Sequence, residues 1–207
     1  MLVLHYTGMR SGAEALARLR DPASKVSAHY LIDDEGTIHG LVAEDRRAWH
    51  AGVGFWRGVT DINSASIGIE LVNPGHEWGY RPFPAAQIEA LLELLHDIMQ
   101  RHHIPPRNII GHSDLAPTRK QDPGELFPWK YLADKGFGLW PDDRTPPGDP
   151  NALISLLHAL GYDPAADADA LITAFCRHFA PEQLAMRDRE ILAGLAASLR
   201  NISSSPR

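Results

Sequence analysis

Apolar and polar residues switch between two periods along the first part of the chain. Leu2-Val3-Leu4 is a short apolar run that predicts a buried strand. Residues 12–20 follow with Ala15, Leu16 and Leu19 at helical spacing. Residues 29–32 and 37–42 read as a hairpin around Asp33-Asp34-Glu35-Gly36, where Gly36 supplies the left-handed turn position at little steric cost. Residues 66–72, rich in Ile, predict another strand. Residues 84–103 carry the clearest helical stripe, with Ile88, Leu91, Leu92, Leu95, Ile98 and Met99 at i, i+3, i+4, i+7 spacing, and Pro105-Pro106 stops it. Residues 108–111 form a short strand. Strands interleaved with helices predict the α/β class, with a mixed central β-sheet flanked by helices.

The pattern then breaks. Prolines at 141, 146, 147 and 150 block helix and sheet pairing, so residues 141–150 read as an extended linker. Beyond it, 150–160, 168–179 and 187–199 are helical in pattern, with apolar stripes Leu153-Leu156-Leu157-Leu160 and Leu171-Ile172-Phe175 and a C-terminal cap at Gly161. The expected organisation is an α/β domain over residues 1–140, the linker, and a small three-helix module over 151–207, with few contacts crossing the boundary, although three short helices bury little apolar surface alone and are expected to dock in part on the first domain.

Composition narrows the function classes. The chain has 207 residues, 44% hydrophobic and 22% charged, which is enough apolar material for one good core and a small second one. Its net charge of -6 argues against a nucleic-acid partner. Cys176 is the single cysteine, so no intramolecular disulfide can form. The start of the sequence has no charged region, apolar stretch or cleavage site of a secretory signal, and no apolar run approaches the roughly 18 residues of a transmembrane helix. A cytoplasmic location is the expectation, with the periplasm or envelope as the alternative if a leader has been removed.

Three segments carry candidate chemistry: His5-Tyr6-Thr7-Gly8 after the first strand, Gly111-His112-Ser113-Asp114 after the last, and Lys120-Gln121-Asp122-Pro123-Gly124 in a loop. Strand ends and loops are where a sheet converges distant residues on one site. Two imidazoles and a carboxylate are a common catalytic zinc set that leaves a coordination position open. On residue type alone, isolated surface histidines remain the competing reading. A helix-borne H-E-x-x-H pattern is absent from the sequence, which disfavours a metalloprotease of unrelated fold.

These segments, together with Val26-Ser27-Ala28-His29-Tyr30, Ala48-Trp49-His50-Ala51-Gly52 and Ser66-Ile67-Gly68-Ile69-Glu70-Leu71, resemble the N-acetylmuramoyl-L-alanine amidases of the AmpD and AmiD type, whose fold is shared with animal peptidoglycan recognition proteins. The resemblance runs in order from His5 to Trp129. It implies that His5, His112 and Asp122 bind Zn²⁺, that Glu70 is the general base, and that Lys120 helps stabilise the oxyanion. It implies a peptidoglycan or muropeptide substrate, cut between the muramic (or anhydro-muramic) acid and L-alanine, and it places Trp49, His50 and His29 at the substrate cleft. The bland alternatives are a core Trp49 with a satisfied His50, and a packed His29. Asp114 either orients a ligand histidine or caps a turn. His102 and His103 complement the helix dipole, and His39, His76, His96, His158 and His178 receive no role. The tail resembles the peptidoglycan-binding module of AmiD-type enzymes. Relatives carry more sequence ahead of the first strand and a small residue where Thr118 stands. The rival function is a recognition protein that binds peptidoglycan in the same cleft without catalysis.

Overall fold

The computed structural model describes residues 1–142 and 144–204. Asp143 of the expected linker and residues 205–207 of the expected module lie outside the described residues. The chain builds β1 (Leu2–Tyr6), α1 (Gly12–Arg20), β2 (Tyr30–Ile32), β3 (Ile38–Gly40), α2 (Ile62–Ala65), β4 (Ile67–Leu71), α3 (Gly75–Trp78), α4 (Ala85–Arg101), β5 (Ile109–Gly111), α5 (His112–Leu115) and α6 (Trp129–Asp134), followed by α7 (Leu153–Leu160), α8 (Ala168–Phe179) and α9 (Arg189–Ser204).

The strands form one mixed sheet in the order β3-β2-β4-β1-β5, parallel except for the β2–β3 hairpin. Side chains alternate across each strand, so the sheet has two faces of different character. Leu2, Leu4, Ile67, Ile69, Leu71 and Ile109 point to one face and pack on the apolar stripe of α4, including Ile88, Leu91, Leu95 and Ile98. On the other face Val3 and Ile110 join a second core, while His5 and Glu70 sit side by side where β1 pairs with β4.

That second core does not stop at the proline-rich segment. Val3, Trp56, Ile62, Ile110 and Leu115 belong to the same buried cluster as Leu153, Leu157, Tyr162, Leu171, Phe175 and Leu192. The tail therefore docks on the first domain, through one shared core rather than through few contacts. The stripes of α7 and α8 are apolar because they cover the sheet's second face as well as each other. Gly161 ends α7 with φ 134, a conformation that only glycine adopts readily, and lets the chain turn Tyr162 back into the core.

Two other differences have local causes. The first strand continues past Leu4 to Tyr6, because its ladder with β4 runs on and carries the polar His5 along. The hairpin strands are shorter than the alternation suggested, since β3 is an edge strand with one partner. Among the described residues, no helix is long and apolar enough to cross a membrane.

Candidate metal centre and catalytic cleft

The site lies at the C-terminal ends of the parallel strands, in an open cleft of about 400 Å³ lined by His5, Trp49, His50, Glu70, His112, Lys120 and Asp122 among others. His5 comes from β1, the strand between β4 and β5. His112 begins α5 directly after β5, on the far side of β1 from Glu70. Asp122 arrives through a loop tied back to α5: the Ser113 amide donates to the Asp122 carbonyl at 2.9 Å, and the Arg119 and Lys120 amides both donate to the Ala116 carbonyl. Sheet register and loop closure thus bring together residues more than a hundred positions apart.

The three candidate ligands converge tightly. His5 Nδ1 lies 2.9 Å from His112 Nδ1 and 2.9 Å from Asp122 Oδ2, and His112 Nδ1 lies 3.0 Å from the same oxygen. All three side chains are buried. What the far side of each ring touches decides where the protons are. His112 Nε2 is 2.9 Å from the Ala51 carbonyl, which can only accept, so Nε2 carries the proton and Nδ1 is bare in the neutral ring. His5 Nε2 faces His50 Nδ1 at 3.0 Å. His50 Nε2 faces Ser66 Oγ at 3.3 Å, whose own hydrogen goes to the Ile62 carbonyl at 2.6 Å. His50 Nε2 must then donate to Ser66, His50 Nδ1 accepts from His5 Nε2–H, and His5 Nδ1 is bare as well.

Electrostatics agree with a neutral His5 ring. Burial, helped by the neighbouring His112, lowers His5 to about 4. Two nitrogen lone pairs and a carboxylate oxygen therefore point at one another with no proton among them. A cation satisfies that arrangement, so the residues present fit a metal ion.

Glu70 is half-buried beside this triad. Its Oε2 is buried without a hydrogen-bond partner among the described residues. Burial raises its carboxyl well above the ordinary range, Asp122 adds to the rise, and Lys120 partly offsets it. A cleft-lining carboxylate with an unpartnered oxygen, next to a metal-fitting triad, is a candidate for proton transfer. Lys120 is also half-buried and lines the same cleft.

The remaining expected site residues separate. Trp49 is 57% exposed and flanks the cleft, so the core alternative does not hold for it. His29 does not reach the cleft: it is fully buried, its Nδ1 accepts from the Gly68 amide at 2.9 Å and its Nε2 donates to the Arg46 carbonyl at 3.0 Å. A ring committed to the backbone on both sides has no group left for a ligand, and the packed alternative applies. His50 lines the cleft at only 9% exposure with both nitrogens engaged as above. Asp114 caps the turn, accepting from the Gly111 amide at 2.8 Å, and its other partners are Tyr162 and His178. His102 turns to Glu44 rather than simply ending α4.

Sequence reasoning missed Asn63, Ser66 and His178. His178 follows Phe175 by three positions on the α8 stripe, which is a signal for a buried histidine. Asn63 gives no such signal.

The family model described as N-acetylmuramoyl-L-alanine amidase matches residues 1–125, which contain every residue of the triad as well as Glu70 and Lys120. The chain belongs to the N-acetylmuramoyl-L-alanine amidase family. It is 42% identical over 209 residues to the Escherichia coli amidase AmiD, spanning 87% of this chain and 75% of that protein. The solved complex of E. coli AmiD with the substrate anhydro-N-acetylmuramic acid-L-Ala-D-γ-Glu-L-Lys superposes with a TM-score of 0.86 at 39% identity, over 98% of this chain and 88% of that one. The crystal structure of AmpDh3 from Pseudomonas aeruginosa gives a TM-score of 0.87 at 35% identity, over 99% of this chain and 92% of that one. The likeness thus includes the C-terminal helices as well as the sheet. Enzymes of this amidase family are metal-dependent, and among the described residues the buried His5–His112–Asp122 group could hold the ion.

Proposed function

We propose that this chain is a zinc amidase that hydrolyses the amide between N-acetylmuramic or anhydro-N-acetylmuramic acid and L-alanine in muropeptides or peptidoglycan, serving cell-wall turnover or recycling. The observation that carries the reading is the pairing of His5 with Glu70 across β1 and β4, which sets a free carboxylate oxygen beside the three converging donors. His5, His112 and Asp122 are the ligands proposed. Two neutral imidazoles and one carboxylate suit zinc, and a zinc ion there would supply Lewis acidity that acidifies water and polarises an amide carbonyl.

The chain's own groups do the rest. The Glu70 carboxylate takes a proton from the attacking water and delivers it to the departing alanine nitrogen, a transfer for which its raised affinity for a proton suits it. The Lys120 ammonium offsets negative charge that grows on the carbonyl oxygen. Trp49 offers an exposed aromatic face at the cleft, fitting a sugar ring or the lactyl-alanine unit. The substrate class follows that held by the AmiD complex. A recognition protein that only binds would leave the free Glu70 oxygen without a purpose.

The test is digestion of a defined anhydro-muropeptide and of its N-acetylmuramic counterpart, followed by mass spectrometry. Release of intact stem peptide with a free L-alanine amine supports the proposal. Binding without cleavage by the metal-replete protein, or cleavage at another bond, overturns it.

A further inference from the structure

We infer that His50 and Asn63 are positioning residues that hold both histidine ligands, so that the 50–51 segment acts on the metal centre rather than on substrate. The inference rests on the ligand assignment proposed above.

The far-side receivers of the two ligand rings are consecutive residues. His5 Nε2–H ends on His50 Nδ1 at 3.0 Å and His112 Nε2–H on the Ala51 carbonyl at 2.9 Å. Shifting this one segment would therefore turn both rings. Two side chains hold it: Asn63 Oδ1 accepts from the His50 amide at 3.1 Å and from the Ala51 amide at 2.8 Å, and Arg119 Nη2 donates to the Ala51 carbonyl at 2.7 Å; Asn63 is 8% exposed. The His50 ring is locked separately through Ser66 to the Ile62 carbonyl.

The sheet makes room for this lock. A Cβ added at Gly68 would fall 2.3 Å from the His50 ring, so only glycine on β4 admits the imidazole behind His5. Partners of this kind orient a metal-bound ring and raise its basicity, and losing one typically costs about 10–100-fold in metal affinity.

The experiment uses the full-length protein. Zinc affinity is measured by chelator competition, the ligand field by absorption of the cobalt(II)-substituted protein, and KM and kcat at saturating zinc. His50→Ala is expected to weaken zinc binding about 10–100-fold, to change the cobalt spectrum, and to leave KM nearly unaltered. His50→Asn, whose side-chain oxygen can accept where Nδ1 did, is expected to restore most of the affinity. Asn63→Leu should act in the same direction as His50→Ala. Should His50→Ala fail to fold, Ser66→Ala keeps the test open, since it frees the His50 ring with little loss of volume and should weaken zinc binding by a smaller factor. Unchanged zinc affinity and spectrum with a raised KM would make His50 a substrate contact and overturn the inference. His5→Ala and His112→Ala separate the two levels. If they abolish zinc binding while the His50, Asn63 and Ser66 variants do not alter it, the inference alone fails. If they leave it intact, the ligand assignment fails first.

Discussion

Tyr162 donates a 2.7 Å hydrogen bond to the carboxylate of Asp114, two residues past His112. Both residues are fully buried or nearly so, and they come from opposite sides of the proline-rich segment. His178 of α8 donates to the other oxygen of Asp114 at 2.7 Å and is stacked on Trp129, ring centroids 3.7 Å apart. Asp114 in turn holds the Gly111 amide at the start of the short helix that carries His112. The C-terminal helices are thus bonded to the turn behind the proposed metal centre. Tyr162→Phe leaves one oxygen of a buried carboxylate without its partner, so about 1–3 kcal/mol of stability should be lost. Urea unfolding of the two proteins measures it, and equal midpoints would show that the bond contributes nothing.

Deleting residues 150–207 should be far more damaging. It strips cover from Trp56, Ile62, Ile110 and Leu115, which share one core with α7 and α8. The expected product is an aggregating or partly unfolded chain. A monomeric fragment with a cooperative unfolding transition and full activity on soluble muropeptides would instead establish the tail as a separable module, and a selective loss on insoluble wall would then assign it to wall binding.

Glu70→Gln should retain stoichiometric zinc while turnover falls by about two to four orders of magnitude, because the change removes a proton acceptor and no ligand. Elemental analysis and muropeptide kinetics on the same sample check both halves. Near-normal kcat would exclude Glu70 as the base, and loss of the metal would make it part of the ligand set.

Metal removal should show in stability as well as activity. Without a cation, His5, His112 and Asp122 direct bare donors at one another in a buried space. A strong chelator should therefore lower the melting temperature and abolish hydrolysis, and stoichiometric zinc should restore both. In Asp122→Ala the melting temperature should no longer respond to zinc at micromolar concentration. A chelator-resistant activity would count against a metal-dependent step.

Much of the scaffold was legible because burial writes itself as period. The α4 stripe from Ile88 to Met99 and the apolar run in β4 are dictated by one continuous core, and both elements lie where the spacing placed them. The short helices α2, α3 and α6 were not legible, since four to six residues hold too few turns to show a stripe. Ligand identity came through the ordered motifs of a family rather than through spacing, because a sheet, not a helix, brings His5 and His112 together. The position of His29 and the commitments of His50 depend on which neighbour each ring nitrogen faces. That is a property of three-dimensional packing, and a list of histidines does not contain it. The extent of the joint core beneath the proline-rich segment was not legible for a related reason: an apolar helical stripe shows that a face is buried, without showing against what.

The last expectation concerns acid stability. Glu44 accepts from Tyr30 Oη at 2.6 Å, from Arg101 Nη2 at 2.7 Å and Nε at 3.1 Å, and from His102 Nε2 at 2.7 Å, joining β2 to the end of α4. The Arg101 hydrogen bond, more than any other influence, lowers its carboxyl from 4.5 to about 2. Between those values the unfolded chain binds a proton that the folded chain does not. Lowering the pH therefore favours unfolding, and the contribution present above 4.5 is lost as the pH falls towards about 2. Glu44→Gln removes the charge from this network, and because Arg101 is half exposed the loss near neutral pH should be modest, about 1–2 kcal/mol. At about pH 2 roughly half of the wild-type carboxyls are protonated in the folded state, and the two proteins should approach equal stability at and below it. Urea unfolding across this range reads the convergence. A constant difference between the two proteins at every pH would mean that the Glu44 network does not contribute through its charge.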